Sequence, residues 1–122
     1  MAHILLYISR PDDQQKLITV LRPRYGVQAA TSDAELDMPF DLCILDVNTL
    51  QRLGGRLLAR RQRDAPVFLP FLLITARHHL EQAPESLWQL IDDALVTPLV
   101  TRELLTRLTV LLRARESSQI LD

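Results

Sequence analysis

Three apolar runs in this chain close on a side chain able to do chemistry: DLCILDV (41–47) on Asp46, LLIT (72–75) on Thr75 and DALVT (93–97) on Thr97. A carboxylate placed so can act as a nucleophile, hold a hard cation, or accept hydrogen bonds from neighbouring amides. A threonine hydroxyl beside it can donate to an oxyanion but adds no positive charge. Other chemistry finds little support. The three glycines, Gly26, Gly54 and Gly55, exclude both G-x-G-x-x-G and G-x-x-x-x-G-K-[ST], and neither G-x-S-x-G nor H-E-x-x-H occurs. His78 and His79 are adjacent, so they do not make an i, i+4 metal pair and read as loop histidines. The single cysteine, Cys43, lies inside an apolar strand and reads as a small core residue. The chain therefore reads as a non-enzyme without a cofactor or a dedicated metal site.

The elements that must position Asp46, Thr75 and Thr97 follow from the hydrophobic pattern. HILLYI (3–8), YGVQAA (25–30), DLCILDV (41–47), PFLLITA (70–76) and DALVTP (93–98) are five strand candidates. Between them lie helical segments: PDDQQKLITVLRP, a short SDAELDM, LGGRLLARRQRD with Leu53, Leu57 and Leu58 on one face, and a helix that Pro84 opens and that carries Leu87, Leu90 and Ile91. The longest helix is TRELLTRLTVLLRARESSQ, with Thr101 as N-cap, an apolar stripe from Leu104 to Leu112, and Arg113 and Arg115 toward its negative end. Arg56, Arg60, Arg61 and Arg63 read as a solvated face. Strands that are apolar throughout, rather than alternating, call for a parallel sheet covered on both faces. The fold class expected is α/β, a doubly wound five-stranded parallel sheet. Ligands of such sheets gather beyond the carboxyl ends of the strands, at Ile8, Ser9, Ala30, Asp46, Thr75 and Thr97.

The 122 residues fit one domain, and 48% apolar residues with a net charge of −1 point away from disorder and from a generally basic nucleic-acid binder. A lone cysteine and the lack of a basic-then-apolar leader favour a cytoplasmic protein. The run APVFLPFLLITA is too short for a bilayer and is interrupted by Pro66 and Pro70.

The order of elements and the strand ends resemble the receiver domain of bacterial two-component response regulators over roughly residues 2 to 115. The resemblance implies the flavodoxin-like strand order 2-1-3-4-5, a receiver-like domain over 1–115, and 116–122 as a continuation of the last helix or the start of a linker. It also implies that Asp46 is the phosphoryl acceptor and that Thr75 hydrogen-bonds the phosphoryl group, these two being the candidate catalytic residues. The bond Thr97–Pro98 is expected to be cis, as at the equivalent place in the family.

Several of the family's parts are missing. Receivers hold magnesium with an acidic pair after the first strand, the phosphoacceptor and a backbone carbonyl two residues beyond it; here the pair is Ile8 and Ser9, and the carbonyl is that of Asn48. Asp12 and Asp13 fall in the next helical turn, where capping of a Ser9-x-x-Asp12 kind or dipole electrostatics explains them better than metal binding. The family's lysine at the end of strand five is Thr97, and the only lysine in the chain is Lys16. The switch aromatic is Ala94, and the loop after the phosphoacceptor is TLQRLG. This is the pattern of a degenerate receiver, or pseudoreceiver, in which Asp46 is a strand-end carboxylate solvated or hydrogen-bonded by neighbouring amides. The function expected is a phosphorelay-type signalling module that works through protein contacts with a sensor kinase or output domain, in the same chain or another. The region Trp88–Arg115 is its candidate self-association surface, with no direct nucleic-acid or membrane contact. The alternatives are an atypical receiver phosphorylated on Asp46 and, further off, a flavin-type small-ligand module.

Overall fold

The computed structural model describes residues 1–120. Five parallel strands, β1 (His3–Tyr7), β2 (Gly26–Ala29), β3 (Leu42–Leu45), β4 (Phe71–Thr75) and β5 (Asp93–Val96), form one sheet in the order β2-β1-β3-β4-β5. This is the flavodoxin-like order expected. Alternate residues of each strand point to opposite faces, and both faces are buried. Ile4, Leu6, Leu42, Ile44, Leu72, Ile74 and Leu95 pack against helices α1 (Pro11–Leu21) and α5 (Thr101–Ile120) through Leu17, Leu21, Leu104, Leu108 and Leu111. Leu5, Tyr7, Cys43, Leu45, Phe71 and Leu73 pack against the other layer. That layer holds a 3-10 turn (Asp33–Asp37) and helices α2 (Val47–Asp64), α3 (Arg77–Gln82) and α4 (Glu85–Trp88). Burial of both faces is the reason the strands read as unbroken apolar runs.

Several local expectations are corrected. Helix α2 starts at Val47, directly after Asp46, so TLQRLG is helix and not loop. Thr49, Leu50, Leu53 and Leu57 fall on one buried face, which carries the helix back through the expected loop to Val47. A Cβ on Gly54 would lie 3.8 Å from Leu90 and 4.0 Å from Leu87, so α4 and the turn after it pack closely there. His78 and His79 lie in α3 rather than a loop, anchored by Leu80 against the core. The helix after Pro84 is a single turn with Pro84 in its N-cap position, and Leu90 and Ile91 follow it while still packing on the core. Thr101 is the first residue of α5 and not its cap, since the Leu104 amide donates to the Val100 carbonyl.

Of the arginines read as a solvated face, Arg56 and Arg63 are exposed as expected, whereas Arg60 and Arg61 are not. Arg60 is 6% exposed, stacks 4.5 Å over the Phe40 ring and donates to the carbonyls of Leu36 and Met38 and to Asp64. Arg61 stacks 4.5 Å over Phe71, donates to the Leu69 carbonyl and pairs with Asp92. Arg52 pairs with Asp33 at 2.7 Å, and Arg56 and Arg63 pair with Asp37 at 3.3 and 3.7 Å. At Arg60 and Arg61 burial overrides the charge pattern because these guanidinia find carbonyls and carboxylates that need their donors. Arg115 likewise does not serve the helix end: it bonds Asp41 at 3.1 Å and the Phe68 carbonyl at 3.0 Å, tying α5 to the amino-terminal edge of the sheet. The bond Thr97–Pro98 is cis, as expected, and Ala65–Pro66 is cis as well. No described helix is long and apolar enough to cross a membrane. Leu121 and Asp122, the end of the expected 116–122 segment, lie outside the described residues.

Candidate functional site

The carboxyl ends of β1, β3, β4 and β5 converge on a cleft of about 570 Å³ lined by Ile8, Ser9, Asp46, Thr75 and Thr97, the residues named from sequence. Asp46 and Thr75 are thus brought together; Ala30, at the end of edge strand β2, is not part of the lining. The Thr75 side chain is buried and its hydroxyl donates to the Ala76 carbonyl at 3.2 Å, while its own carbonyl accepts from the Thr97 amide at 2.9 Å.

Both carboxylate oxygens of Asp46 accept from backbone amides. One carboxylate oxygen accepts from the Thr49 amide at 2.9 Å, and the other accepts from the Ser9 amide at 2.7 Å. The first of these makes Asp46 the N-cap of α2, a place where a carboxylate satisfies an orphan amide and meets the positive end of the helix dipole. The Thr49 hydroxyl donates to the Tyr7 carbonyl at 3.1 Å, and the Asn48 amide donates to the Ser9 hydroxyl at 3.1 Å. Asp46 therefore links the end of β1 to the start of α2.

That arrangement leaves little for magnesium, the cation that receivers use. Asp46 is the one carboxylate at the strand ends there, and its neighbours at the acidic-pair positions are Ile8 and the Ser9 hydroxyl, neither of which supplies a charged oxygen. Asn48 sits in the first turn of α2 and lines the cleft. Asp13 does reach the cleft but lies 3.8 Å from Arg10. Among the described residues no three His, Cys, Asp or Glu side chains are grouped to hold a metal ion. The residues present do not fit a magnesium site. Nor does Ser9 cap α1 with Asp12: the N-cap is Arg10, Pro11 opens the helix, and Asp12 and Asp13 occupy its first turn as dipole partners. A capping box is present elsewhere, between Ser32 and Glu35.

Beneath the site, the Tyr7 hydroxyl donates to the Ser32 carbonyl at 2.7 Å, and burial, followed by the nearby Cys43, Glu35 and Asp33, pushes its pKa up to about 12. Burial also pushes the Cys43 thiol up, in keeping with an inert core residue. His78 and His79 line the same cleft, with ring centroids 4.1 Å apart. Sequence reasoning read them as loop histidines and gave them no site; their position two and three residues beyond Ala76, just after the carboxyl end of β4, was the available signal. Trp88 is partly buried against the core, and Ala94, at the switch-aromatic position, also packs there.

No protein-family model matches the chain. It is 37% identical over 81 residues to the transcriptional regulatory protein QseB of Escherichia coli O157:H7, covering 66% of this chain and 36% of that protein. It is 33% identical over 90 residues to QseB of Haemophilus influenzae, covering 74% of this chain and 38% of that protein. The match thus spans little more than a third of the curated relatives' length. Among solved structures, the receiver domain of the TMAO respiratory response regulator TorR superposes with a TM-score of 0.72 at 25% identity, over 94% of this chain and 99% of that one. A streptococcal redox sensor, of a family described as evolved from two-component response regulators, superposes with a TM-score of 0.78 at 16% identity, over 100% and 56%. Fold and sequence likeness together make this chain a receiver domain of the two-component response-regulator class.

Proposed function

We propose that this receiver domain signals without being phosphorylated, through contacts with protein partners. The observation that carries the reading is the state of Asp46: both carboxylate oxygens are held by backbone amides, and no lysine or acidic pair stands beside them. Phosphoryl transfer is mostly positioning and charge neutralisation, so a site lacking both the metal ligands and the cation has lost the terms that stabilise the transition state and the acyl phosphate. The partners are a sensor kinase or an output domain, in the same chain or another, and the setting is the cytoplasm. Self-association uses the surface between Trp88 and Arg115. Direct nucleic-acid binding through the α2 arginines is disfavoured, because each is paired with a carboxylate.

The second reading is an atypical receiver phosphorylated on Asp46, and it is favoured by one observation, that Asp46 and Thr75 line one cleft. Amide NMR spectra recorded with magnesium and then with beryllium fluoride or a small phosphodonor separate the two. The first reading expects unchanged resonances around Asp46 and Thr75. Shifts centred there, and lost in Asp46→Ala, overturn it in favour of the second. A flavin-type ligand retained through purification would instead support a small-molecule module.

A further inference from the structure

Helix α2 is built in two unlike halves. Its carboxyl-terminal half is clamped by two inward arginines: Arg60 holds Asp64 and the carbonyls of Leu36 and Met38, and Arg61 holds Asp92 and the Leu69 carbonyl, while the exposed Arg56 and Arg63 pairs with Asp37 add little. Its amino-terminal half has no charged clamp apart from the half-exposed Arg52–Asp33 pair, and no acidic residue in its first turn. What holds that half is burial of Thr49, Leu50 and Leu53 and the cap from Asp46. Between the halves stand Gly54 and Gly55, the two weakest helix formers in the element, each costing about 1 kcal/mol relative to alanine. Gly54 is also where α2 meets Leu87 and Leu90, beside the only tryptophan, Trp88.

We propose that Asp46 is the latch of a conformational switch in α2. When its carboxylate ceases to accept from the Ser9 and Thr49 amides, the segment Val47–Leu53 loosens up to the Gly54–Gly55 junction, and the packing of Leu87, Trp88 and Leu90 loosens with it. Ser9 and the turn into α1 are freed at the same time, because the second carboxylate oxygen holds that turn. The signal leaves the site through α2 and its glycine junction. That route does not use position 97 or position 94, where this chain carries Thr97 and Ala94. The device requires only the hydrogen bonds to Asp46, so it stands or falls separately from the absence of phosphorylation.

Amide exchange by NMR on the full chain, with Trp88 fluorescence as a second readout, tests it. Loss of an N-cap corresponds to a factor of about ten in local opening. Asp46→Ala should therefore speed exchange of Thr49–Leu53 and of the Ser9–Asp13 turn about tenfold, and shift Trp88 emission to the red, with Arg60–Asp64 unchanged. Asparagine retains one acceptor oxygen and presents a donor in place of the other. Asp46→Asn should thus release one of the two segments and not both, and it serves as the readable variant if the alanine form unfolds. Gly54→Ala with Gly55→Ala stiffens the junction without a clash, since the first added Cβ makes ordinary contact and the second meets nothing within 4 Å. In the Asp46→Ala background that pair should return Trp88 emission toward the parent value. The proposal is overturned if Asp46→Ala leaves exchange in 49–53 and the Trp88 spectrum unchanged, if Asp46→Asn frees both segments equally, or if the two alanines give no restoration.

Discussion

Replacing Arg60 by alanine should cost about 4 kcal/mol of folding stability, far more than an exposed helix arginine could. Arg60 is 6% exposed, and its Nη1 donates to the buried Leu36 carbonyl and to the Met38 carbonyl at 2.7 Å. Its Nε lies 3.2 Å from both oxygens of Asp64. Truncation leaves the Leu36 carbonyl buried without a donor, a loss of about 1–3 kcal/mol. It also leaves Asp64, itself mostly buried, with only the more distant Arg63 at 3.6 Å, and removes the guanidinium stacked on Phe40, each about 1 kcal/mol. The sum falls in the range of roughly 3–5 kcal/mol found when one member of a buried ion pair is deleted. With a urea slope of about 2 kcal/mol per molar, the unfolding midpoint should drop by about 2 M. Arg60→Met keeps the apolar stem and loses only the polar terms, so it should recover roughly 1 kcal/mol of the loss. Urea titrations of the three proteins, followed by far-UV circular dichroism, measure this. A drop below about 0.5 kcal/mol for Arg60→Ala would show that the guanidinium is in solvent, and the account of α2 as a clamped helix would be wrong.

Three further outcomes are expected. Tyr7 should titrate at about 12 in an ultraviolet absorbance titration; because its folded pKa lies above the unfolded value of 10.0, its contribution is whole below about pH 10 and is lost as pH rises through about 12. An ordinary phenol titration at Tyr7 would refute its burial under Ser32. Glu35 has its pKa lowered, first by the amides of Ser32 and Thr31, so the stability it adds is present above the unfolded carboxylate range and is lost as pH falls through the folded value. Glu35→Gln should flatten the acid limb of the stability profile below about pH 4.5, and an unchanged limb would count against the capping box. Cys43, fully buried with its thiol pushed up, should react with Ellman's reagent only at the rate of global unfolding. Fast labelling in native buffer would show the β3 face to be open.

Much of the candidate site was legible without coordinates, because strand ends in a parallel sheet share one edge. Once DLCILDV, LLIT and DALVTP are read as parallel strands, Asp46, Thr75 and Thr97 must meet beyond them, and the structure places them around one cleft. The missing lysine and acidic pair were equally plain, being matters of residue type. What could not be read was which hydrogen bonds Asp46 makes, since Ser9 is 37 positions away and no local pattern joins them.

Residue types and their periodicity determined the layer arrangement and the set of residues at the carboxyl edge, since continuous apolar strands with intervening helices admit few other packings, while the strand order came from the resemblance to receiver domains. Tertiary structure alone decided where α2 begins, that Arg60 and Arg61 face inward onto Leu36, Met38, Leu69 and Asp92, and that His78 and His79 join the cleft. The physical reason is common to all three. A local sequence window weighs propensity and charge against water, whereas Asp46, Arg60 and Arg61 are held by donors and acceptors tens of residues away or on other elements, and these exist only after the chain has closed around them.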